Sequence, residues 1–206
     1  MVKDLCFEII ETCLNNCMFC SSNSNCNKTQ IIRFGDFKRT IDYFMANGGI
    51  EELSLSGGEP FLHPELIKMV EYSKSLGIRT VIFTSGVTNN IGTSQAEKTK
   101  ILDEMNRRLQ EINEKEPDND YLKQKVISFY TQLLNPSNFV PISKELLLEL
   151  QRIGLDKIVF DYQAYEYETD HTLMGRKEKS RISLLKSLIT ASLIVSEVDV
   201  HFVPMK

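Results

Sequence analysis

No apolar run in the chain approaches the roughly 18–20 residues that a membrane-spanning helix needs, so no membrane association is expected. The opening residues, MVKDLCFEII, are charged at Lys3 and Asp4 and lack a leader-length apolar core and a small-residue cleavage site. A cytoplasmic, reducing compartment is therefore the expectation. A basic excess is missing too: the formal net charge is -4, which argues against nucleic acid as the main partner. Cysteine is absent after Cys26, the last of five within the first 26 residues. A secreted disulfide scaffold would spread its cysteines along the chain to staple distant loops. Repeats of solenoid period and low-complexity segments are also lacking. What remains, with 42% apolar and 25% charged residues, has the ordinary make-up of a globular chain of one-domain length.

Apolar and β-branched clusters predict strands over Leu5–Ile10, Glu52–Leu55, Ile78–Thr84, Asp156–Tyr162 and Val198–Val203. Helical spacing predicts helices over Phe37–Ala46 (stopped by Asn47-Gly48-Gly49), Pro64–Leu76 (ending at Gly77), Ser143–Arg152 (capped by Ser143) and Lys179–Ser192. Residues 94–134 interrupt this alternation with two charged amphipathic stretches around Glu116-Pro117-Asp118. They read as an inserted helical hairpin with a solvated face and one packing stripe. The order β-α-β-α-β-insert-α-β-α-β predicts an α/β fold with a parallel sheet and right-handed crossovers. Sites in such folds form at the carboxyl ends of the strands.

The cysteines are Cys6, Cys13, Cys17, Cys20 and Cys26. Cys13, Cys17 and Cys20 make a C-x3-C-x2-C pattern in the loop after the first strand. Three thiolates at this spacing can converge on one face of an iron–sulfur cubane, whose usual ligand is cysteine. Three ligands leave one iron open. Zinc is one alternative, but structural zinc prefers four ligands, and the spacing of Cys26 from Cys20 is unusual for a zinc knuckle; redox thiols or chance are the other. Cys6, inside the first strand, is expected to be a small core residue, and Cys26 a free surface thiol. The second predicted strand ends in Ser56-Gly57-Gly58-Glu59-Pro60, where glycines permit a sharp turn and close approach to a ligand. Glu59 beside them could bind a cationic amino group.

Taken together, CLNNCMFC and SGGEP resemble the radical S-adenosylmethionine (SAM) superfamily, whose pattern is C-x3-C-x-aromatic-C after the first strand and GGE-P after the second. The aromatic here is Phe19. The resemblance implies a partial parallel (β/α) barrel of about five of the usual six units. It implies a [4Fe–4S] cluster on Cys13, Cys17 and Cys20, with SAM on the fourth iron. Gly57, Gly58 and Glu59 would receive the methionine amino group, Phe19 would lie near the adenine, and Ser85 and Asp161 would contact the methionine or ribose. The chemistry implied is reductive cleavage of SAM to a 5′-deoxyadenosyl radical that abstracts hydrogen from a substrate. The electron would come from a low-potential donor such as flavodoxin or ferredoxin.

The segment Asp170-His171-Thr172-Leu173-Met174-Gly175-Arg176 resembles a region of peptide-modifying members, which makes a peptide substrate an expectation, although a solvated loop explains His171 as well. His63 reads as a cap or packing residue at the second helix, and no histidine is assigned a catalytic role. The apparent stop after a fifth strand makes residues 1–206 an expected truncated core. A zinc- or cluster-binding module without turnover, or an inactive fragment, are the alternatives.

Overall fold

A computed structural model describes residues 1–89, 95–134 and 139–202. The chain divides into a core unit, residues 1–88 with 139–206, and a helical unit, residues 89–138.

Five strands of the core unit form one sheet: β1 (Val2–Ile10), β2 (Ile50–Gly57), β3 (Arg79–Thr84), β6 (Lys157–Asp161) and β7 (Glu197–His201), in that spatial order. All four pairings are parallel, in a register that aligns Leu55 with Phe7 and Ile82, and Ile158 with Ile82 and Val198. Two further short strands, β4 (Val87–Asn89) and β5 (Phe139–Pro141), pair separately and were not predicted. The helices between the strands are α1 (Phe34–Ala46), α2 (Leu66–Ser75), α5 (Lys144–Arg152), α6 (Tyr167–Met174) and α7 (Glu178–Ser192). Each predicted strand and helix of the core has its counterpart, with ends shifted by a few residues; Val203 lies outside the described residues. The N-cap reading of Ser143 holds, since its hydroxyl accepts the Leu146 N–H at 3.1 Å.

The period-2 alternation of the strands splits the sheet into two unlike faces. Leu53, Leu55, Ile82, Ile158 and Phe160 are fully buried beneath Phe37 and Ile41 of α1, Met69 and Val70 of α2, Leu147 and Leu150 of α5 and Leu184 of α7. The opposite face carries Asp4, Cys6, Glu8, Glu52, Ser54, Arg79, Lys157, Glu197 and Asp199 in register. Arg79 bridges Glu52 at 2.8 Å and Glu197 at 2.6 Å, and Lys157 pairs with Asp199. Cys6 is exposed on this polar face, which corrects its reading as a core residue: the helices that bury Leu53, Leu55 and Ile82 cover the other face.

In the helical unit, α3 (Gln95–Lys115) and α4 (Asp120–Leu134) pack on one another across the Glu116-Pro117-Asp118 turn. The predicted start at Ser94 lies outside the described residues. Along α3, Glu104 pairs with Arg107 and Arg108 at three- and four-residue spacing, the pattern of a solvated helix face. Among the described residues, no helix is long and apolar enough to cross a membrane.

Candidate cluster and cofactor site

Where β1 ends, the chain leaves the sheet and makes a closed excursion before α1. Glu11 N–H donates to the Gln30 carbonyl at 3.0 Å, Cys13 N–H to the Asn25 carbonyl at 3.2 Å, and the Thr12 hydroxyl to the Lys28 carbonyl at 2.7 Å. A tight turn then joins Cys20 N–H to the Cys17 carbonyl at 3.2 Å. This loop holds all three motif cysteines against the carboxyl ends of the strands. Cys13, Cys17, Phe19 and Cys20 line a cavity of about 390 Å³ together with Gly57, Gly58, Ser85 and Asp161. Eight of the nine residues singled out in the sequence therefore share one cavity at one rim of the sheet, as the strand-end rule requires.

The ninth, Glu59, stands behind the wall. It is fully buried, and its carboxylate is saturated by its own chain. Oε1 accepts the Thr84 hydroxyl at 2.7 Å and the Phe61 N–H at 3.2 Å; Oε2 accepts the Ser85 N–H at 2.8 Å and the Ser85 hydroxyl at 2.5 Å. Burial raises its pKa, and these four donors pull in the other direction. The expectation that this carboxylate itself meets a ligand's amino group thus differs from its position: it braces Ser85 instead, and Ser85 faces the cavity. The two glycines differ likewise. A Cβ on Gly58 would stand 2.1 Å from the Thr12 carbonyl oxygen, and one on Gly57 2.4 Å from that of Ile10. Glycine is needed because the ends of β1 and β2 touch backbone to backbone, with Gly58 N–H donating to the Ile10 carbonyl at 2.5 Å and Glu59 N–H to that of Thr12 at 2.8 Å.

The thiols sit in a poorly solvated setting. Burial, then the nearby Glu59 charge, raises the Cys13 pKa, and burial pushes Cys17 up to about 11 against the pull of the Arg176 guanidinium. Cys20 Sγ accepts the Ser24 N–H at 3.3 Å. Among the described residues, no three His, Cys, Asp or Glu side chains close tightly enough around one point to hold a single metal ion. Asp161 pairs with His201 Nδ1 at 3.1 Å, and both line the cavity. Burial raises the Asp161 pKa, and His201 draws it back.

Two features escaped the sequence reading. The segment after β6 is the helix α6, with His171 Nδ1 2.9 Å from the Arg176 carbonyl and its ring stacked on Tyr167. Its last turn docks on the cysteine loop: Asn16 N–H donates to the Met174 carbonyl at 3.1 Å and Met18 N–H to that of Leu173 at 2.9 Å. Gly175, left-handed at φ 62°, closes the helix against Asn16. Arg176 is then fully buried, bound to Asp170 at 3.1 Å and to the Asp161 and Ser85 carbonyls at 3.0 and 3.4 Å. It ties the ends of β3 and β6 to α6, whose last turn docks on the cysteine loop. In sequence, Arg176 heads a charged run and signals nothing of this.

The family profile described as the Radical SAM superfamily matches residues 7–125. A GTP 3′,8-cyclase of Streptomyces coelicolor is 31% identical over 112 residues, which are 52% of this chain and 32% of the cyclase. An S-adenosylmethionine-dependent nucleotide dehydratase of Selenomonas ruminantium is 27% identical over 78 residues, 38% of this chain and 28% of that protein. The crystal structure of HydG, a maturase of the [FeFe]-hydrogenase, superposes with a TM-score of 0.58 over 98% of this chain and 35% of that one, at 12% identity, a likeness of fold. The chain spans about a third of the length of each.

Proposed function

This chain belongs to the radical SAM superfamily, and from that premise we propose that it is the catalytic core of an enzyme that holds a [4Fe–4S] cluster on Cys13, Cys17 and Cys20 and binds SAM beside it. The observation that carries the reading is the single cavity, at the carboxyl ends of parallel strands, that gathers three thiols from one loop with Gly57, Gly58, Ser85 and Asp161. The donor set fits the group: three cysteine sulfurs lining one cavity, with no fourth cysteine beside them there, suit a cubane with one open iron better than four-coordinate structural zinc. When bound, the cluster and SAM supply reductive C–S cleavage and hydrogen abstraction from a substrate.

The chain's own residues orient and enclose. The Gly57 and Gly58 backbone and the Ser85 hydroxyl present polar groups to the methionine end of SAM. Asp161, paired with His201, would accept from ribose hydroxyls, and Phe19 would offer an aromatic surface for the adenine. Glu59 acts at one remove, by fixing Ser85. Electron delivery falls to a low-potential donor of the flavodoxin or ferredoxin type. For the substrate, a nucleotide is the better reading than the peptide expected from residues 170–176, because both curated relatives are named for nucleotide chemistry.

Anaerobic reconstitution with iron and sulfide, followed by metal and sulfide analysis and a 5′-deoxyadenosine assay with SAM and dithionite, tests the proposal. A cluster that forms in the wild-type chain and is lost in Cys13→Ser, Cys17→Ser and Cys20→Ser supports it. A colourless protein holding stoichiometric zinc would sink it. Adding GTP or a peptide to the same assay separates the two substrate classes by which one stimulates SAM cleavage.

A further inference from the structure

Asn15 lies between two of the motif cysteines and lines the same cavity. Only 3% of its surface is exposed, yet neither its Nδ2 nor its Oδ1 has a hydrogen-bond partner. Leaving a buried amide unpaired is costly, and native folds rarely tolerate it without a reason. The side chain has little freedom to seek solvent instead. Cys13 N–H is fixed to the Asn25 carbonyl on one side and Asn16 N–H to the Met174 carbonyl on the other. The amide is therefore held beside the thiols with its donors unspent.

We propose that Asn15 is a cofactor-contacting residue whose Nδ2 donates a hydrogen bond to a sulfur of the cluster on Cys13, Cys17 and Cys20. This rests on the functional reading above and adds a role for a residue outside the cysteine pattern. The choice of partner follows from chemistry. Cluster sulfides and cysteine thiolates only accept, so they match the amide's NH2 group. A donor aimed at sulfur favours the more negative, reduced cluster, and hydrogen bonds to sulfur are among the factors that set cluster potentials. Asn15 therefore makes the cluster easier to reduce.

The test compares wild-type protein, Asn15→Leu and Asn15→Asp, each reconstituted and matched for iron and sulfide, in an anaerobic redox titration followed by electron paramagnetic resonance. Asn15→Leu removes the donor, and Asn15→Asp replaces it with an anion of the same shape. We expect the midpoint potential to fall in the order wild type, Leu, Asp. The first step should lower the reduced-to-oxidised ratio at fixed donor potential at least threefold, about 28 mV at the one-electron slope of ~59 mV per tenfold change. Equal potentials in all three would overturn the inference while leaving the cluster assignment intact. A wild-type chain that takes up no iron and sulfide overturns both.

A second measurement covers variants that load poorly. In the cluster-free protein the amide is unpaired, so Asn15→Leu should raise the melting temperature. A clear fall would reveal a protein partner for the amide and defeat the proposal.

Discussion

Arg176→Met is the sharpest probe of how the site is held. The guanidinium and the Asp170 carboxylate are both fully inaccessible, 3.1 Å apart. Removing the cation leaves Asp170 with Arg181 Nε at 3.6 Å as its nearest charge, and strips a donor from the carbonyls of Asp161 and Ser85. Breaking a buried ion pair from one side costs about 3–5 kcal/mol, because an uncompensated charge stays in the interior. At about 2–4 °C per kcal/mol for a chain of this size, the melting temperature should fall by about 6–20 °C. Circular dichroism of the cluster-free protein under anaerobic conditions reads this directly. Replacing both partners, Asp170→Leu with Arg176→Met, removes the stranded carboxylate and should recover at least half of the loss, though not the two carbonyl bonds. A single variant within about 1 kcal/mol of wild type, or a double variant less stable than the single, would refute the assignment of Arg176 as the tie between the strand ends and α6.

Gly58→Ala places a methyl group 2.1 Å from the Thr12 oxygen and 2.6 Å from its carbonyl carbon, so backbone must move; a loss of about 3 kcal/mol or more is expected in chemical denaturation. Gly35→Ala in α1, with open space around the new carbon, should be neutral or stabilising by up to about 1 kcal/mol and serves as the control. His63 is buried, donates from Nε2 to the Ile32 carbonyl at 2.9 Å and accepts the Glu65 N–H on Nδ1 at 3.0 Å, an arrangement that needs the neutral ring. Burial lowers its pKa below the ordinary 6.5, so the unfolded chain binds the proton first. Stability should be level above pH 6.5 and fall as pH drops below it, by at most about 1.4 kcal/mol per pH unit from this residue. In His63→Gln that component should vanish from a pH series of unfolding curves, and an unchanged slope would contradict it.

Much of this architecture was legible because the strands are short apolar runs bounded by glycine turns, and because chemistry-bearing residues sit where those runs stop. Cys13, Cys17, Cys20, Gly57, Gly58, Ser85 and Asp161 could be placed on one rim from order alone. The elements that escaped detection lack that contrast. The helix α6 reads YETDHTLM, too polar for a helical stripe, and is held by its docking on the cysteine loop. The strands β4 and β5 have three residues each, below the length at which alternation registers. The exposure of Cys6 depends on which layer covers the sheet, a tertiary matter. Glu59, Asn15 and Arg176 show the same limit: type and position suggested a ligand contact for Glu59 and nothing for the other two, whereas burial with hydrogen bonding marked out Glu59 and Arg176, and burial without any side-chain partner marked out Asn15.

The unlike faces of the sheet have a consequence for how such a protein can diversify. Adhesion between layers resides in Leu55, Ile82, Ile158 and their helical neighbours, while the row from Asp4 to Asp199 bears charges that meet mostly one another and water. Substitutions along that row can therefore change the charge the sheet presents while disturbing the scaffold little.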